Sequence, residues 1–221
     1  ICHLLKKDKK NFETTICVTA QHRHMLDQVL SVFNLSPDID LNIMKNKQSL
    51  SNISSTIMTR MTKTILKLKP NIVLVHGDTT TSFITALSCF YNDIMVAHVE
   101  AGLRTNNIYN PYPEELNRQI ISKIAKFHFA PTKKNKSHLL SEGISRSDIL
   151  LTGNTVIDAL FWTVKEFKKS KKRKDKIEKI LKRKLSFNLN KTKYILITGH
   201  RRENFGQGFA NICKSIKILA S

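Results

Sequence analysis

Three carboxylates, two guanidinium groups and an imidazole crowd the segment HVEAGLRTNNIYNPYPEELNR, from His98 to Arg118. The carboxylates are Glu100, Glu114 and Glu115; the arginines are Arg104 and Arg118. A strand-like run ending DIMVA precedes the segment, and a helix-like run, QIISKIAKF, follows it. Acids at the end of a buried strand are costly unless they are paired or used. Carboxylates held in such a place can accept and deliver protons. Glu114 falls in the first turn of the following helix, where the helix dipole favours its ionised form, and Arg118 stands one turn further on.

Two more segments carry chemistry. HGDTTTS, from His76 to Ser82, follows the apolar run NIVLV and offers an acid, Asp78, beside threonines able to cap the next helix. TGHRRENFGQG, from Thr198 to Gly208, follows YILI and places His200, Arg201 and Arg202 ahead of a glycine-bearing turn and a helix. Two guanidinium forks, an imidazole and a helix N-terminus together suit an anion. All three segments follow strand-like runs, so they are expected on one rim of a sheet, where open α/β sheets bind ligands. Acids beside a cationic loop fit proton transfer on a phosphate-bearing substrate. Singly, each group has a plainer reading. Asp78 can be a helix cap, Glu114 half of an i,i+4 ion pair with Arg118, and Glu100 the buried partner of Arg104. His98 can be a satisfied core histidine, and the His200 loop a solvated turn.

These groups must be positioned by regular elements. Apolar runs at Thr15–Thr19, Ile72–His76, Ile94–Val99, Phe127–Ala130, Ile149–Leu151 and Tyr194–Thr198 predict strands, several of them buried on both faces. Helical periodicity fills the intervals near 22–33, 49–68, 80–91, 113–125, 133–142, 155–183 and 207–220. This alternation predicts an α/β fold with a parallel sheet. Pro113 suits the first turn of its helix, whose core face is expected at Leu116, Ile120 and Ile124, continuing to Phe127. A lysine-dense stretch over 165–193 reads as a solvated helix and connector, with a domain boundary near residue 185.

With 221 residues, 41% of them hydrophobic, the chain suits one large domain, or one domain and part of another. The net charge of +20 comes mainly from lysine, 28 of the 37 basic residues, and is mostly spread along the sequence. Neither zinc-finger spacing nor a ribonucleoprotein aromatic motif accompanies it, so a solvated surface is favoured and no nucleic-acid partner is expected. Cys2, Cys17, Cys89 and Cys213 are far apart and form no CxxC pair, which fits reduced thiols in the cytoplasm. No apolar run is long enough to span a membrane, and none reads as a signal peptide. The chain opens on Ile1, as if inside a helix, and both ends read as those of a fragment.

Taken in order, CVTAQHRHMLDQVL (Cys17–Leu30), DLNIM (Asp40–Met44), VHGDTTTS, HVEAGLRT, PEELNRQI, GNTVIDAL (Gly153–Leu160) and TGHRREN closely resemble the non-hydrolysing bacterial UDP-N-acetylglucosamine 2-epimerases. The resemblance covers nearly the whole chain except the lysine-rich connector. It implies a fold of GT-B type, in which Rossmann-like domains face a cleft. Residues 1–185 would form the first domain and connector helix, and 186–221 the start of the second. It implies interconversion of UDP-N-acetylglucosamine (UDP-GlcNAc) and UDP-N-acetylmannosamine (UDP-ManNAc), a step toward cell-surface polysaccharide. The carbon-2 proton and UDP are lost, a 2-acetamidoglucal forms, UDP re-adds, and a proton arrives on the opposite face. No cofactor and no metal are implied; a homodimer is.

By the same resemblance Asp78, Glu100 and Glu114 match the catalytic acids, and His200 the essential histidine near the UDP phosphates. Arg201, Arg202 and Arg104 are further substrate-binding candidates. Gln21 and Arg23 match an effector-site segment. The chain departs from the family at three points: an opening strand with a GTRPEAIK loop, most of the second domain with its nucleotide-binding glutamate, and an arginine where Thr56 stands. Two other readings follow. One is an inactive, truncated relic or split-gene piece; the other is a GT-B glycosyltransferase.

Overall fold

The structure, a computed structural model, describes residues 1–20, 23–45, 48–188, 191–197 and 206–220, without the side chains of residues 173 and 220. Two compact units result, Ile1–Glu166 and Phe167–Ser221.

In the first unit, helix α1 (Cys2–Lys7) precedes strand β1 (Cys17–Val18), α2 (Arg23–Val32), β2 (Ile39–Asp40) and α3 (Leu50–Leu68). An alternating series follows: β3 (Ile72–His76), α4 (Thr80–Tyr91), β4 (Met95–Val99), α5 (Glu114–Ile124), β5 (Phe127–Ala130), α6 (Lys133–Ser141), β6 (Ile149–Leu151) and α7 (Thr155–Lys169), whose last three residues belong to the second unit. Strands β3, β4, β5 and β6 form one parallel sheet in chain order, with Val75 opposite His98 and His98 opposite His128. Short β1 and β2 pair in parallel separately. The expected parallel α/β architecture is therefore present. Since the four strands run the same way, the loops leaving β3, β4, β5 and β6 share the sheet's carboxyl edge.

Local chemistry explains these boundaries. Ser49, Thr79 and Thr132 each cap a helix by accepting a backbone N–H three residues on. The main core joins Ile57, Met61 and Ile65 of α3 with Ile84, Ala86 and Cys89 of α4, Val75 and Val96 of the sheet, and Ile121 of α5. A smaller cluster gathers Ala101, Ala130, Leu139 and Ile149. Burial of both faces holds for the central β4, whose Val96 to Val99 are all buried. Leu74, Leu150 and Leu151, on the strands at the sheet's margins, are exposed.

Three expectations are corrected, and one strand is added. The added strand is β2: Ile39–Asp40 lies in PDIDLNIM, where apolar and polar residues alternate without forming an apolar run, and the β1 ladder places it, with Leu41 and Ile43 entering the core. The core face of α5 is only partly as expected: Ile124 packs against the main core, but Leu116 does not. Leu116 is 40% exposed, and Glu115, Asn117, Arg118, Ile121 and Ser122 are buried instead. The single helix over 155–183 is two, α7 and α8 (Lys171–Lys184), divided at Ser170. In the second unit, α8 and α9 (Gln207–Ala220) form, but residues 194–197 form no strand. Ile195 and Leu196 are 84% and 82% exposed. An apolar run becomes a strand only when a neighbour takes its backbone hydrogen bonds, and no strand is present among the described residues of that unit. Residue 198 of this expected strand lies outside the described residues. No helix among the described residues is long and apolar enough to cross a membrane.

Candidate active site

The turn after β3 and the loop after β4 bring the sequence-predicted acids together at the carboxyl edge. Gly77 opens the first turn with a φ of +71°, a conformation that favours glycine, and a Cβ there would lie 3.5 Å from Glu100 Oε2. The Glu100 carboxylate therefore sits beside the turn that presents Asp78. Glu100 itself has a φ of +70°. A non-glycine residue held there stores on the order of 1–3 kcal/mol of strain, of the kind found at functional sites.

Asp78 is not a helix cap, since Thr79 fills that role. Its Oδ2 pairs with Arg118 Nη2 at 2.9 Å. Arg118 does not pair with Glu114, as an i,i+4 bridge would require; its Nε meets the Glu114 backbone carbonyl at 3.4 Å and the Glu115 carboxylate at 3.5 Å. One guanidinium thus spans the β3 turn and the first turn of α5. Glu100 Oε2 lies 3.5 Å from His76 Nε2, which in turn is 3.5 Å from Thr155 Oγ1. Glu100 does not pair with Arg104.

The two carboxyls are tuned apart. Burial pushes Asp78 above the usual aspartate range against the pull of Arg118, and the charges of Glu114 and Glu100 add to the push. The approach of His76 holds Glu100 below the usual glutamate range, against its own burial. Oppositely tuned neighbouring acids are the arrangement that divides proton donor from proton acceptor.

Glu115 has a different place. It is fully buried, and it accepts the backbone N–H groups of Thr105 and Asn106 at 3.0 and 3.3 Å and Gln119 Nε2 at 2.9 Å. It ties down the loop between β4 and α5. Arg104, the substrate-binding candidate, is engaged within the fold. Its side chain is 1% exposed and grips Glu142 with Nε at 2.6 Å and Nη2 at 2.8 Å, while Nη2 also meets Ser122 Oγ and Nη1 the Leu103 carbonyl. Glu142 is partly exposed and can regain water, so Arg104→Ala is expected to cost about 2 kcal/mol, below the full penalty for breaking a buried pair. Denaturant unfolding checks this; loss under 0.5 kcal/mol would contradict it.

His98 is fully buried, and its Nε2 donates to the Gly77 carbonyl at 2.8 Å. Its Nδ1 has no partner, nor has Nδ1 of the adjacent His128. Burial pushes the His98 imidazole down to about 4. It is neutral in the fold, whereas the unfolded chain takes up a proton near pH 6.5. The stability linked to this residue is therefore intact above about pH 6.5 and lost as the pH falls toward 4, on the order of 3 kcal/mol in all. His128 is lowered by burial too and adds loss of the same sign. His98→Gln, which cannot titrate, is expected to flatten the dependence of melting temperature on pH between 6.5 and 4. An unchanged slope would count against this assignment.

His200, Arg201 and Arg202 lie outside the described residues, as does Gln21. Arg23 pairs with Asp27 at 3.0 Å and with Asp40. Thr56 Oγ1 donates to its own helix, to the Asn52 carbonyl. Among the described residues no group of three or more His, Cys, Asp or Glu side chains could hold a metal ion. Sequence reasoning missed His76 and Asn117 as site residues. The placement of His76 at the end of a strand, two residues before Asp78, was the available signal.

A Rossmann-like parallel sheet with acids gathered where β3 and β4 end belongs to the α/β proteins that work at the carboxyl edge. The chain is a member of the UDP-N-acetylglucosamine 2-epimerase family, whose model matches residues 5–221. A UDP-N-acetylglucosamine 2-epimerase of Campylobacter jejuni is 51% identical over 216 residues, which are 98% of this chain and 56% of the relative. The crystal structure of UDP-GlcNAc 2-epimerase from Neisseria meningitidis bound to UDP-GlcNAc matches with a TM-score of 0.89 at 47% identity, over 99% of this chain and 57% of that one. The UDP-GlcNAc 2-epimerase of Methanocaldococcus jannaschii in complex with UDP-GlcNAc and UDP matches with a TM-score of 0.70 at 35% identity, over 77% and 46%. The chain thus spans a little over half the length of the curated relatives it matches.

Proposed function

We propose that the protein interconverts UDP-GlcNAc and UDP-ManNAc by elimination and re-addition of UDP. The observation that carries this reading is the convergence of Asp78, Glu100 and Arg118 at one sheet edge, with Glu114 close enough to influence Asp78, in a member of the epimerase family. Inverting a carbon requires a proton to leave one face and arrive on the other, which calls for more than one acid–base group.

Glu100, kept ionised beside His76, takes the carbon-2 proton. The C–H electron pair becomes the C1=C2 bond as the C1–O pair departs with UDP. UDP oxygen then returns to C1, and a proton from Asp78, whose carboxyl is held above the usual range, is delivered to the other face of C2. Glu114 lies close enough to Asp78 for its charge to act on that carboxyl. His200, Arg201 and Arg202 serve the UDP phosphates, in a second domain that begins near residue 186. Arg23 and Gln21 belong to an effector subsite. The protein works as a cytoplasmic homodimer, a setting that suits its widely spaced cysteines. The test is turnover of UDP-GlcNAc to UDP-ManNAc by the longest form in which the protein is expressed. Absence of UDP-ManNAc with the substrate bound would overturn the reading.

A second reading, that the 221-residue chain is inactive alone, is favoured by one observation: residues 194–197, expected to lead into the phosphate-binding loop, form no strand and expose Ile195 and Leu196. Titration calorimetry with UDP separates the two. Micromolar binding by the 221-residue chain contradicts inactivity.

A further inference from the structure

Three successive peptide carbonyls of the β3 turn each accept a hydrogen bond from a different element. The His76 carbonyl accepts from Ser82 Oγ of α4 at 2.6 Å. The Gly77 carbonyl accepts from His98 Nε2 of β4 at 2.8 Å. The Asp78 carbonyl accepts from Asn117 Nδ2 of α5 at 2.8 Å. All three donors are buried. A fourth bond, from Gly77 N–H to the Val99 carbonyl at 3.0 Å, joins the same turn to the strand that leads into Glu100.

Ordinary turns satisfy their carbonyls with water or local backbone. Here each carbonyl is matched by a dedicated side chain, and none of the three donors is itself one of the acids. Two of the three elements also carry or flank the other reacting groups: β4 leads to Glu100, and α5 bears Glu114 and Arg118. We infer that Ser82, His98 and Asn117 form a three-point clamp that fixes the peptide planes around Asp78 and sets its carboxylate against Glu100 and Arg118. They are positioning residues, and the inference rests on the reading of Asp78 as an acid of the reaction. A turn free to shift by about 1 Å would misplace the carboxyl enough to cost on the order of 100-fold in rate.

The experiment is a mutant cycle in the longest expressed form of the protein. Asn117→Ala is expected to lower kcat about 10- to 100-fold with KM within about twofold. Ser82→Ala is expected to give a smaller loss of the same kind. His98→Gln, which keeps an N–H near the position of Nε2, is expected to retain more activity than His98→Leu. In an Asp78→Asn background, Asn117→Ala is expected to add little, because the group it positions has gone. Thermal melts identify any variant that fails to fold, and Ser82→Ala is the mildest of the set.

A folded Asn117→Ala or Ser82→Ala with parental kcat, beside an inactive Asp78→Asn, overturns the clamp and leaves the acid's role standing. If Asp78→Asn itself turns over normally, the acid's role fails instead. Carboxyl NMR then reads the clamp without turnover. Facing Arg118, Glu114 and Glu100, the Asp78 carboxyl is expected to titrate closer to an ordinary aspartate in the folded Asn117→Ala or Ser82→Ala variant. A midpoint unchanged in both overturns the clamp.

Discussion

Glu100→Gln is expected to slow exchange of the sugar's carbon-2 hydrogen with solvent by about 10²- to 10⁴-fold, the span of a lost general acid–base group, while leaving the fold intact. The amide matches the carboxylate in size, and the half-buried site makes few demands on packing. Its partner His76 is accessible to water, so no buried charge is stranded. The strained backbone at residue 100 is also met equally well by either residue. The melting temperature should therefore stay within about 2 °C of the parent, as for a change below about 0.5 kcal/mol. Glu115→Gln is the informative contrast. It weakens the acceptor for Thr105 and Asn106 N–H groups and for Arg118, and so should act first on stability. Equal rate losses from Glu100→Gln and Glu115→Gln, or parental exchange in Glu100→Gln, would contradict the division of roles between these acids.

Gly102→Ala is expected to destabilise the chain by on the order of 4 kcal/mol. Two physical terms combine. Gly102 has a φ of +86°, where a side chain costs about 1–3 kcal/mol. A Cβ there would also lie 2.3 Å from the Asn135 carbonyl oxygen and 2.8 Å from its carbon, which are backbone atoms of α6 and cannot rotate away. Overpacking of this kind costs about 1–3 kcal/mol more. The Gly102 carbonyl in addition accepts from Asn135 Nδ2 at 3.2 Å and His138 Nδ1 at 2.9 Å, so any shift of the backbone breaks bonds that seat α6 against the acid-bearing loop. A fall in melting temperature of roughly 8–16 °C corresponds to this loss. A fall below 3 °C would show that α6 moves aside freely.

Much of this arrangement is legible from residues alone. Gly77, the capping threonine at 79 and the apolar run before them define β3, its turn and α4, because each depends on local chemistry. The motifs HGDTTTS and HVEAGLRT likewise place Asp78 and Glu100 at strand ends, and the sheet brings those ends together. What the sequence hides depends on partners far along the chain. Arg104 finds Glu142, 38 residues away, in place of its neighbour Glu100. The helix α5 buries Glu115 and Arg118 in place of Leu116, because the loop and Asp78 supply partners that periodicity cannot register. The short β2 and the unformed strand at 194–197 make the same point about backbone: its hydrogen bonds are set by which neighbour is present.

The most direct measurement is solvent deuterium at carbon 2. UDP-GlcNAc is incubated in D₂O with the longest expressed form of the protein, and the recovered UDP-sugars are read by mass spectrometry and NMR. The expected result is UDP-ManNAc bearing one deuterium at C2, with incorporation sharply reduced in Glu100→Gln and in Asp78→Asn. UDP-ManNAc that retains the original C2 hydrogen, or incorporation unaffected by either substitution, would contradict proton transfer by the acids gathered at this sheet edge.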